Sequence, residues 1–364
     1  MKITRRTFIA SGASAVAAFT SGHGRLFAQT HSVPNGRRRF SADNISCLVQ
    51  PDSIIFLRDN HPMITYKTTF ADDSPTPSSK KAAFSVPFPC FTRLTAPTSL
   101  LPLSPLNASA AAAFVCNNVS GVNYTSNFSK ISGKPCGQIR SHGLKWIGMS
   151  EIGSDGILPK MTNWQLGIQA IFEDACDWVD PNGQIQMTDM RRFRIAFYER
   201  QKYGIYATID WYAVNDVHIT ANNQCLFGVQ ASAPLCPAGG GTMMNSNGTF
   251  GSPAVYGRRA NWMTCWGSLT EAARKSGRRL VNIPNSAPAQ EGVALMSHPS
   301  NPWGVSPWNT TEFGYMSPTN IPFLVKPWTL RAGEGIRLRY LTLAYTGNPN
   351  GGTVDEIYRN YIQT

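Results

Sequence analysis

The chain has 364 residues, of which 42% are hydrophobic and only 15% are charged, and it contains 31 glycines and 25 prolines. This composition supplies a sizeable core, favours a β-rich fold with many turns and argues against a helical bundle. The formal net charge is +12, yet no segment resembles a nucleic-acid-binding module. No segment reaches the ~18 continuous apolar residues of a membrane span either.

The N-terminus has the character of an export signal. Arg5 and Arg6 form a twin-arginine pair, and a short run of small, uncharged residues follows them. We predict that residues 1–28 are removed and that the mature protein is periplasmic or secreted. Their removal takes away four basic residues and no acidic residue, which lowers the formal net charge to +8. The segment 29–45, which contains the basic run Arg37, Arg38 and Arg39, is predicted to form a flexible arm.

Two contrasting segments follow the arm. Residues 53–70 read as two short strands around a turn at Asp59 and Asn60, which predicts a hairpin. Residues 87–113 are rich in proline, serine and alanine and lack periodicity, so we interpret them as a long, irregular connection.

The second half of the chain carries the clearest strand patterns. Hydrophobic and polar residues alternate in RRFRIAF (191–197) and GIYATIDWYAV (204–214), as in half-buried antiparallel strands. In GIRLRYLTLAYTG (335–347) the hydrophobic phase switches at Leu341, which indicates either a bulge or burial of both faces. The only helix candidates are short, at 268–277 and 353–364.

These patterns predict an all-β fold, a large antiparallel β-sandwich of the jelly-roll or supersandwich type with few short helices. Residues 46–364 are expected to form this single domain.

The cysteine pattern concerns oxidation state rather than metal binding. The chain has eight cysteines, and their spacing matches neither a CxxC motif nor a structural zinc site. Because an exported protein folds in an oxidising compartment, we expect at least one disulfide, whose pairing the sequence leaves open. We expect no metal and no cofactor.

Eight segments occur in order from about residue 53 to the end of the chain. They are HPMITYKT, FVCNNVSGVNYTSN, CGQIRSHG, DWVDPNGQIQMTDMRRFRI, LFGVQAS, GRRANWMTCWG, EGVALMSHPSNPWGVSPWNTTEFG and AGEGIRLRYLTLAYTG. In this order they resemble a bacterial domain-of-unknown-function family labelled methane oxygenase PmoA. The resemblance implies a β-sandwich that is exported in many members and often linked with carbohydrate metabolism. It does not imply methane oxidation, because a membrane methane monooxygenase subunit needs several transmembrane helices.

The chain departs from that family's pattern at three places. A histidine-rich stretch of the type His-Pro-His-His-Arg is expected where this chain reads LNASAAAAFVCNNV, which contains neither histidine nor arginine. Gln230 and Thr311, or a neighbour of the latter, stand where arginines are expected. If those groups form a metal or catalytic site in relatives, this chain has lost much of it.

Three residues are candidates for acid–base chemistry: His298, His142 and Asp210. His298 stands between Ser297 and Pro299, where proline restricts the backbone and holds the ring in place. Asp210 lies among apolar residues of a strand, where burial of a carboxylate would shift its pKa. The alternatives are a loop histidine bonded to the backbone and an outward-facing aspartate. Asp177, Asp180, Asp189, Glu291 and Glu312 are further candidate carboxylates.

Four residues are candidates for ligand binding: Trp303, Trp308, Arg259 and Glu312. The two tryptophans flank the rigid segment after His298, and their flat faces suit stacking against a sugar ring. Arginine forks such as Arg259 suit carboxylate or polyol recognition. The alternatives are that the tryptophans pack the loop onto the sandwich and that the arginine is a surface residue of a strand.

Two hypotheses follow. The first is an exported protein that acts on or binds a glycan or small-molecule ligand, with hydrolysis of a glycoside as one activity. The second is a non-catalytic binding or structural sandwich that has lost the histidine-rich site. Convergence of His298, His142 and a carboxylate within a few Å would favour the first hypothesis, and scattered positions would favour the second.

The export signal leads to a direct prediction. Replacing both Arg5 and Arg6 with lysine removes the twin-arginine pair, so we expect the precursor to remain in the cytoplasm. Cell fractionation followed by immunoblotting measures this. Normal export of the double variant by the same route would contradict the assignment.

Overall fold

The computed structural model describes residues 2–4, 31–32, 38–42, 44–68, 89–104, 113–115, 138–151, 167–179, 183–198, 201–219, 227–276, 290–326, 328–349 and 352–364. It confirms the predicted fold class, since strands dominate and the sheet neighbours pair antiparallel throughout. Within these ranges the α-helices are α1 (Ser252–Val255), α2 (Leu269–Lys275) and α3 (Thr353–Tyr361). The last two correspond to the predicted helices.

The larger sheet has the strand order β15-β16-β17-β21-β12-β11-β10-β9-β2, and β1 also pairs with β21. Its strands are β1 (Lys2–Thr4), β2 (His31–Ser32), β9 (Gln138–Glu151), β10 (Ile168–Val179), β11 (Ile185–Tyr198), β12 (Lys202–Ala213), β15 (Thr242–Asn245), β16 (Trp262–Gly267), β17 (Glu291–Ser297) and β21 (Glu334–Thr346).

The smaller sheet has the order β18-β19-β14-β8-β7-β6-β5-β4-β3, and β13 and β20 form a separate pair. The strands of this sheet and of the pair are β3 (Arg38–Ala42), β4 (Ile45–Val49), β5 (Ser53–Arg58), β6 (His61–Lys67), β7 (Cys90–Leu94), β8 (Ala113–Val115), β13 (Val217–Ile219), β14 (Phe227–Gln230), β18 (Trp308–Thr310), β19 (Tyr315–Pro318) and β20 (Trp328–Leu330).

The predicted hairpin is confirmed as β5 and β6. Asp59 and Asn60 both have positive φ angles, of 48° and 65°. Two consecutive residues in this conformation form the type of tight turn that matches the twist of antiparallel strands, and aspartate and asparagine tolerate it.

Two expectations about irregular segments are corrected. The predicted flexible arm 29–45 contains β3, which pairs with β4 residue by residue from Arg38 to Ala42. The predicted connection 87–113 contains β7, which pairs with β6. The reason in the second case is burial: Cys90, Phe91 and Leu94 are almost inaccessible to solvent, although the flanking prolines and serines hide the pattern.

Aromatic side chains fill the space between the two sheets. The ring of Tyr66 on β6 lies 5.0–5.2 Å from the rings of Phe91 on β7, Phe172 on β10 and Phe193 on β11. Aromatic pairs at such separations stabilise the fold by more than the burial of their surface alone would. This cluster joins the two sheets through the middle of the sandwich.

A buried ion pair lies beside the aromatic cluster. On β11, Arg191 donates from Nε and Nη2 to the two carboxylate oxygens of Asp189, at 2.7 and 2.9 Å, and neither side chain is exposed. Arg191 also donates to the carbonyl of Pro89, and Trp178 on β10 donates its indole N–H to Asp189. Such partners are needed because unpaired charges are costly to bury.

A second buried carboxylate lies on the adjacent strand. Asp174 of β10 accepts hydrogen bonds from the hydroxyls of Tyr66 and Ser141. Burial raises the pKa of the Asp174 carboxyl, although Arg191 and the two hydroxyl donors act in the opposite direction. Tyr66 therefore ties the smaller sheet to the polar interior of the larger one.

The phase switch in the last strand is explained by α3. No register shift occurs where β21 pairs with β12 and β17, so the bulge alternative is wrong and burial of both faces is confirmed. Residues 340–345 are buried without interruption, because Leu341, Leu343 and Tyr345 pack in one cluster with Ile357 and Tyr358 of the helix.

The expected disulfide is not found among the described cysteines. Cys47, Cys90, Cys176, Cys236 and Cys265 are buried free thiols. Packing explains this for Cys265, whose Sγ contacts the thioether of Met316 at 3.7 Å rather than another thiol. The remaining cysteines, Cys116, Cys136 and Cys225, lie outside the described residues.

Within the described ranges, no helix has the length and apolar character required to cross a membrane.

The buried ion pair generates a stability prediction. Replacing Arg191 with methionine leaves the Asp189 charge unpaired in the core, so we expect the free energy of unfolding to fall by about 3–5 kcal/mol. Asp189→Asn added to this variant should restore a large part of the loss. Urea unfolding of the three proteins measures both changes. A double variant no more stable than Arg191→Met would contradict this account.

Candidate functional site

His298 follows β17 and is almost completely buried. Its Nδ1 accepts from the backbone N–H of Ser300 at 3.1 Å, and its Nε2 lies 3.1 Å from Nη1 of Arg339. Burial and the Arg339 guanidinium lower the pKa of His298 to about 4, so the ring is neutral at pH 7. It also packs edge-on against Tyr361 of α3. These contacts make His298 a support for Arg339 and the C-terminal helix.

Asp210 of β12 is engaged by an arginine on the neighbouring strand. Arg337 of β21 donates from Nε and Nη2 to the two carboxylate oxygens, at 2.6 and 2.8 Å. A bidentate pair of this kind occupies the carboxylate on both oxygens. The pair lies on the outward face of the large sheet, where Asp210 is nevertheless only 8% exposed.

His142 of β9 forms a dyad with Asp177 of β10. The Nε2 of the histidine lies 2.8 Å from Oδ2 of the aspartate, and more than half of the His142 side chain is exposed. An exposed imidazole held by a carboxylate is the arrangement of a general base. Of the three predicted acid–base residues, only His142 combines solvent access with an orienting partner.

The predicted catalytic residues do not converge. His142 lies in β9, Asp210 lies in β12, and His298 lies beside Arg339 of β21. Three strands, β12, β11 and β10, lie between β21 and β9 in the sheet. At ~4.8 Å per strand, β21 and β9 are therefore about 19 Å apart. The three residues therefore do not meet within a few Å.

The two tryptophans differ in exposure. Trp308 is fully buried in the core and donates its indole N–H to the carbonyl of Ala260 at 2.9 Å. Because it has no exposed face for a sugar ring, its assignment to a ligand-binding wall is corrected to core packing. Trp303 is half-buried, and its ring contacts that of Trp328 with centroids 4.8 Å apart.

Arg259 and Glu312 are both exposed. Arg259 donates to the carbonyl of Val305, so it fixes the loop ahead of β18. The backbone carbonyl of Glu312 accepts from Ala238. Neither residue lies on the large sheet that carries Asp210 and His142.

The structure instead brings together residues that form one register row across five strands. Lys145 of β9 pairs with Glu173 of β10, Glu173 with Arg192 of β11, Arg192 with Thr208 of β12, and Thr208 with Arg339 of β21. Residues opposite one another in a register share a face of the sheet. These five residues, which point away from the sandwich core, are called the polar face below.

The contacts within the polar face distribute charge unevenly. Glu173 accepts from Lys145 Nζ at 3.1 Å and lies 3.8 Å from Nε of Arg192. Within the described residues the guanidinium of Arg339 bonds to the ring of His298 and to the hydroxyl of Thr364. The row therefore holds three cations and one carboxylate, which contacts two of the cations, and the third cation, Arg339 on β21, has neutral partners.

Aromatic and ionic groups border the polar face. Two residues before Thr208 on β12, Tyr206 is partly buried and its ring lies 5.8 Å from that of Tyr361. Two residues after Thr208, the Asp210–Arg337 pair closes the other side. The result is a row of hydrogen-bond donors between an aromatic border and a neutralised ion pair.

The alternation in RRFRIAF contained the signal for this face. Arg192 and Arg194 have the phase opposite to Phe193 and Ile195, which places them outward, whereas Arg191 has the phase of the core residues. A strand therefore sends the neighbouring Arg191 and Arg192 to opposite faces of the sheet.

Among the described residues, no group of three or more histidines, cysteines, aspartates or glutamates is arranged to hold a metal ion.

The fold and the polar face define an all-β sandwich with a charged outer sheet surface. Comparison with known families identifies the family to which this sandwich belongs. The profile of DUF6807, a family of unknown function, matches residues 115–359. Because this range covers most of the chain, the chain belongs to DUF6807.

Comparison with curated proteins finds no match. Among solved structures, one similar chain is an amine oxidase from Aspergillus nidulans, with 9% sequence identity and a TM-score of 0.23. The alignment covers 92% of this chain and 56% of the oxidase, so this chain spans little more than half of that protein. A likeness of this size carries no argument about fold or activity.

The contrast between the two tryptophans is testable. Trp308→Ala empties a fully buried site, so we expect a loss of about 3–5 kcal/mol in the free energy of unfolding. Trp303→Ala, which truncates a half-buried ring, should cost clearly less. Urea unfolding compares the two variants, and equal losses would contradict the assignment of Trp308 to the core.

Proposed function

We propose that this protein is an exported, non-catalytic β-sandwich that binds a carbohydrate ligand on the polar face. The observation that carries the proposal is the register row itself. It presents Lys145, Arg192, Thr208 and Arg339 outward across neighbouring strands, and rigid strands hold donors more accurately than loops do. Sugar hydroxyls are acceptors for such donors, and an aromatic ring such as that of Tyr206 suits the apolar face of a sugar.

The positions of the candidate catalytic residues support the non-catalytic part. Hydrolysis of a glycoside generally needs two carboxyl groups on either side of the scissile bond. Asp210 is occupied by Arg337 on both oxygens, and His298 is buried and neutral. The sequence adds that the histidine-rich stretch of the resembling family is missing.

The cellular part of the proposal depends on the sequence. The twin-arginine pair at Arg5 and Arg6 supports export. Seven of the eight segments that resemble the PmoA-labelled family begin after residue 113, largely within the range that the DUF6807 profile matches. We therefore propose that the two descriptions refer to related sandwiches, with the link to carbohydrate metabolism as the functional expectation.

A second candidate function is favoured by the His142–Asp177 dyad. An exposed histidine 2.8 Å from a carboxylate has the geometry of an acid–base pair for hydrolysis. Under this alternative, His142→Ala abolishes product formation, whereas under the proposal no product forms with either protein.

The proposal is tested by blocking the polar face. Thr208→Trp places a large ring at its centre, so we expect binding on a saccharide array to fall by at least tenfold, with chromatography showing no cleavage of the bound saccharides. The matched control is Thr329→Trp, on the exposed edge of the separate β13–β20 pair, which should bind like the unmodified protein. Unchanged melting temperatures establish that both variants fold. Unaltered binding by Thr208→Trp, or release of products, would overturn the proposal.

A further inference from the structure

The charge of the polar face points to one class of ligand. The row holds three cations, Lys145, Arg192 and Arg339, and a single carboxylate, Glu173. Glu173 is shared between Lys145 and Arg192, so one positive charge remains at the β9–β11 side. The adjacent Asp210 does not offset it, because Arg337 already neutralises that carboxylate.

Arg339 adds a second uncompensated charge at the other end of the row. Within the described residues its guanidinium bonds to a neutral ring and a hydroxyl, His298 Nε2 at 3.1 Å and Thr364 Oγ1 at 3.2 Å. These contacts fix the orientation of the side chain without cancelling its charge.

The spacing brings the two arginines to opposite sides of one hydroxyl. Arg192 and Arg339 lie on either side of Thr208 in the register, so their backbones are about 10 Å apart across the sheet at ~4.8 Å per strand. Both side chains are long enough to reach a group held above Thr208. An oxyanion held above Thr208 would lie between these two side chains, each of which can donate paired hydrogen bonds.

We propose that the ligand is an acidic saccharide whose anionic group, a carboxylate or a sulfate, binds between Arg192 and Arg339 above Thr208. This inference rests on the proposed function and adds the ligand class. The sugar ring adjoining the anionic group then lies toward Tyr206, at the border of the polar face. His298 acts in this account as a positioning residue, since it holds Arg339 and does not contact the ligand.

The inference predicts effects of opposite sign from two neighbouring substitutions. Arg192→Gln removes one anion ligand, so affinity for an acidic saccharide should fall by about tenfold or more. Glu173→Gln removes the competing carboxylate, so affinity for the same saccharide should rise. Neither change should alter affinity for a neutral saccharide by as much. Arg258→Gln, at an exposed arginine away from this sheet, is the matched control.

Isothermal titration calorimetry on the full chain measures these changes with three probes: a galacturonic acid trisaccharide, a sulfated galactose trisaccharide and the unmodified galactose trisaccharide. Tighter binding of the first assigns a carboxylate, and tighter binding of the second assigns a sulfate. In either case binding should weaken as sodium chloride is raised from 0.05 to 0.5 M, because salt screens charge pairs.

The outcomes separate this inference from the proposed function. Binding of the neutral trisaccharide with equal or greater affinity would overturn the inference and leave the proposed function standing. Absence of binding to any of the three would overturn both. A single-stranded DNA oligonucleotide serves as a further probe. If it binds as tightly as the acidic saccharide and Arg192→Gln weakens its binding too, the polar face binds polyanions in general, and the assignment of an acidic saccharide as ligand is overturned.

Discussion

The strict alternation of side chains along β11 is the constraint on which the rest of the structure depends. Asp189, Arg191 and Phe193 point into the sandwich, and the intervening Met190 and Arg192 point out. A shift of one residue would exchange the two faces and expose the aromatic core. The buried ion pair makes such a shift especially costly, because Arg191 reaches the carbonyl of Pro89 and Asp189 reaches the indole N–H of Trp178 only in the observed register. The same constraint that closes the core therefore sets the positions of the polar face.

The C-terminal helix divides the outward surface of the large sheet. Val354, Ile357 and Tyr361 pack on the apolar half of that surface, and the polar face begins where the helix ends. His298 and Arg339 lie at this boundary: the imidazole contacts the ring of Tyr361, and the guanidinium contacts Thr364. The histidine that the sequence presented as a catalyst is thus explained as a joint between helix and sheet, which holds one arginine of the binding surface in place.

The sequence predicted the fold well because period-two alternation reports burial of one strand face directly. It predicted the hairpin at Asp59 and Asn60 for a similarly local reason, and for β21 it left a bulge and burial of both faces open, of which the structure confirms the second. It did not identify β7, because three buried residues are too few to show a period. It misjudged Trp308 and His298, since a rigid aromatic segment has the same sequence whether it covers a core or lines a cleft. The alternation in RRFRIAF places Arg192 outward, but the complete row was beyond sequence reasoning, because only the pairing of five strands brings Lys145 and Arg339 into line with it.

The central claim is that an outward row of donors, fixed by the register of the large sheet, is where the ligand binds. A crystal structure of the protein grown with the galacturonic acid trisaccharide tests it most directly. We expect electron density for the saccharide on the outer face of the large sheet, with its carboxylate within hydrogen-bond distance of Arg192 and Arg339 and a ring near Tyr206. Density at the segment around Trp303, at the His142–Asp177 dyad or anywhere else away from the polar face would contradict the account.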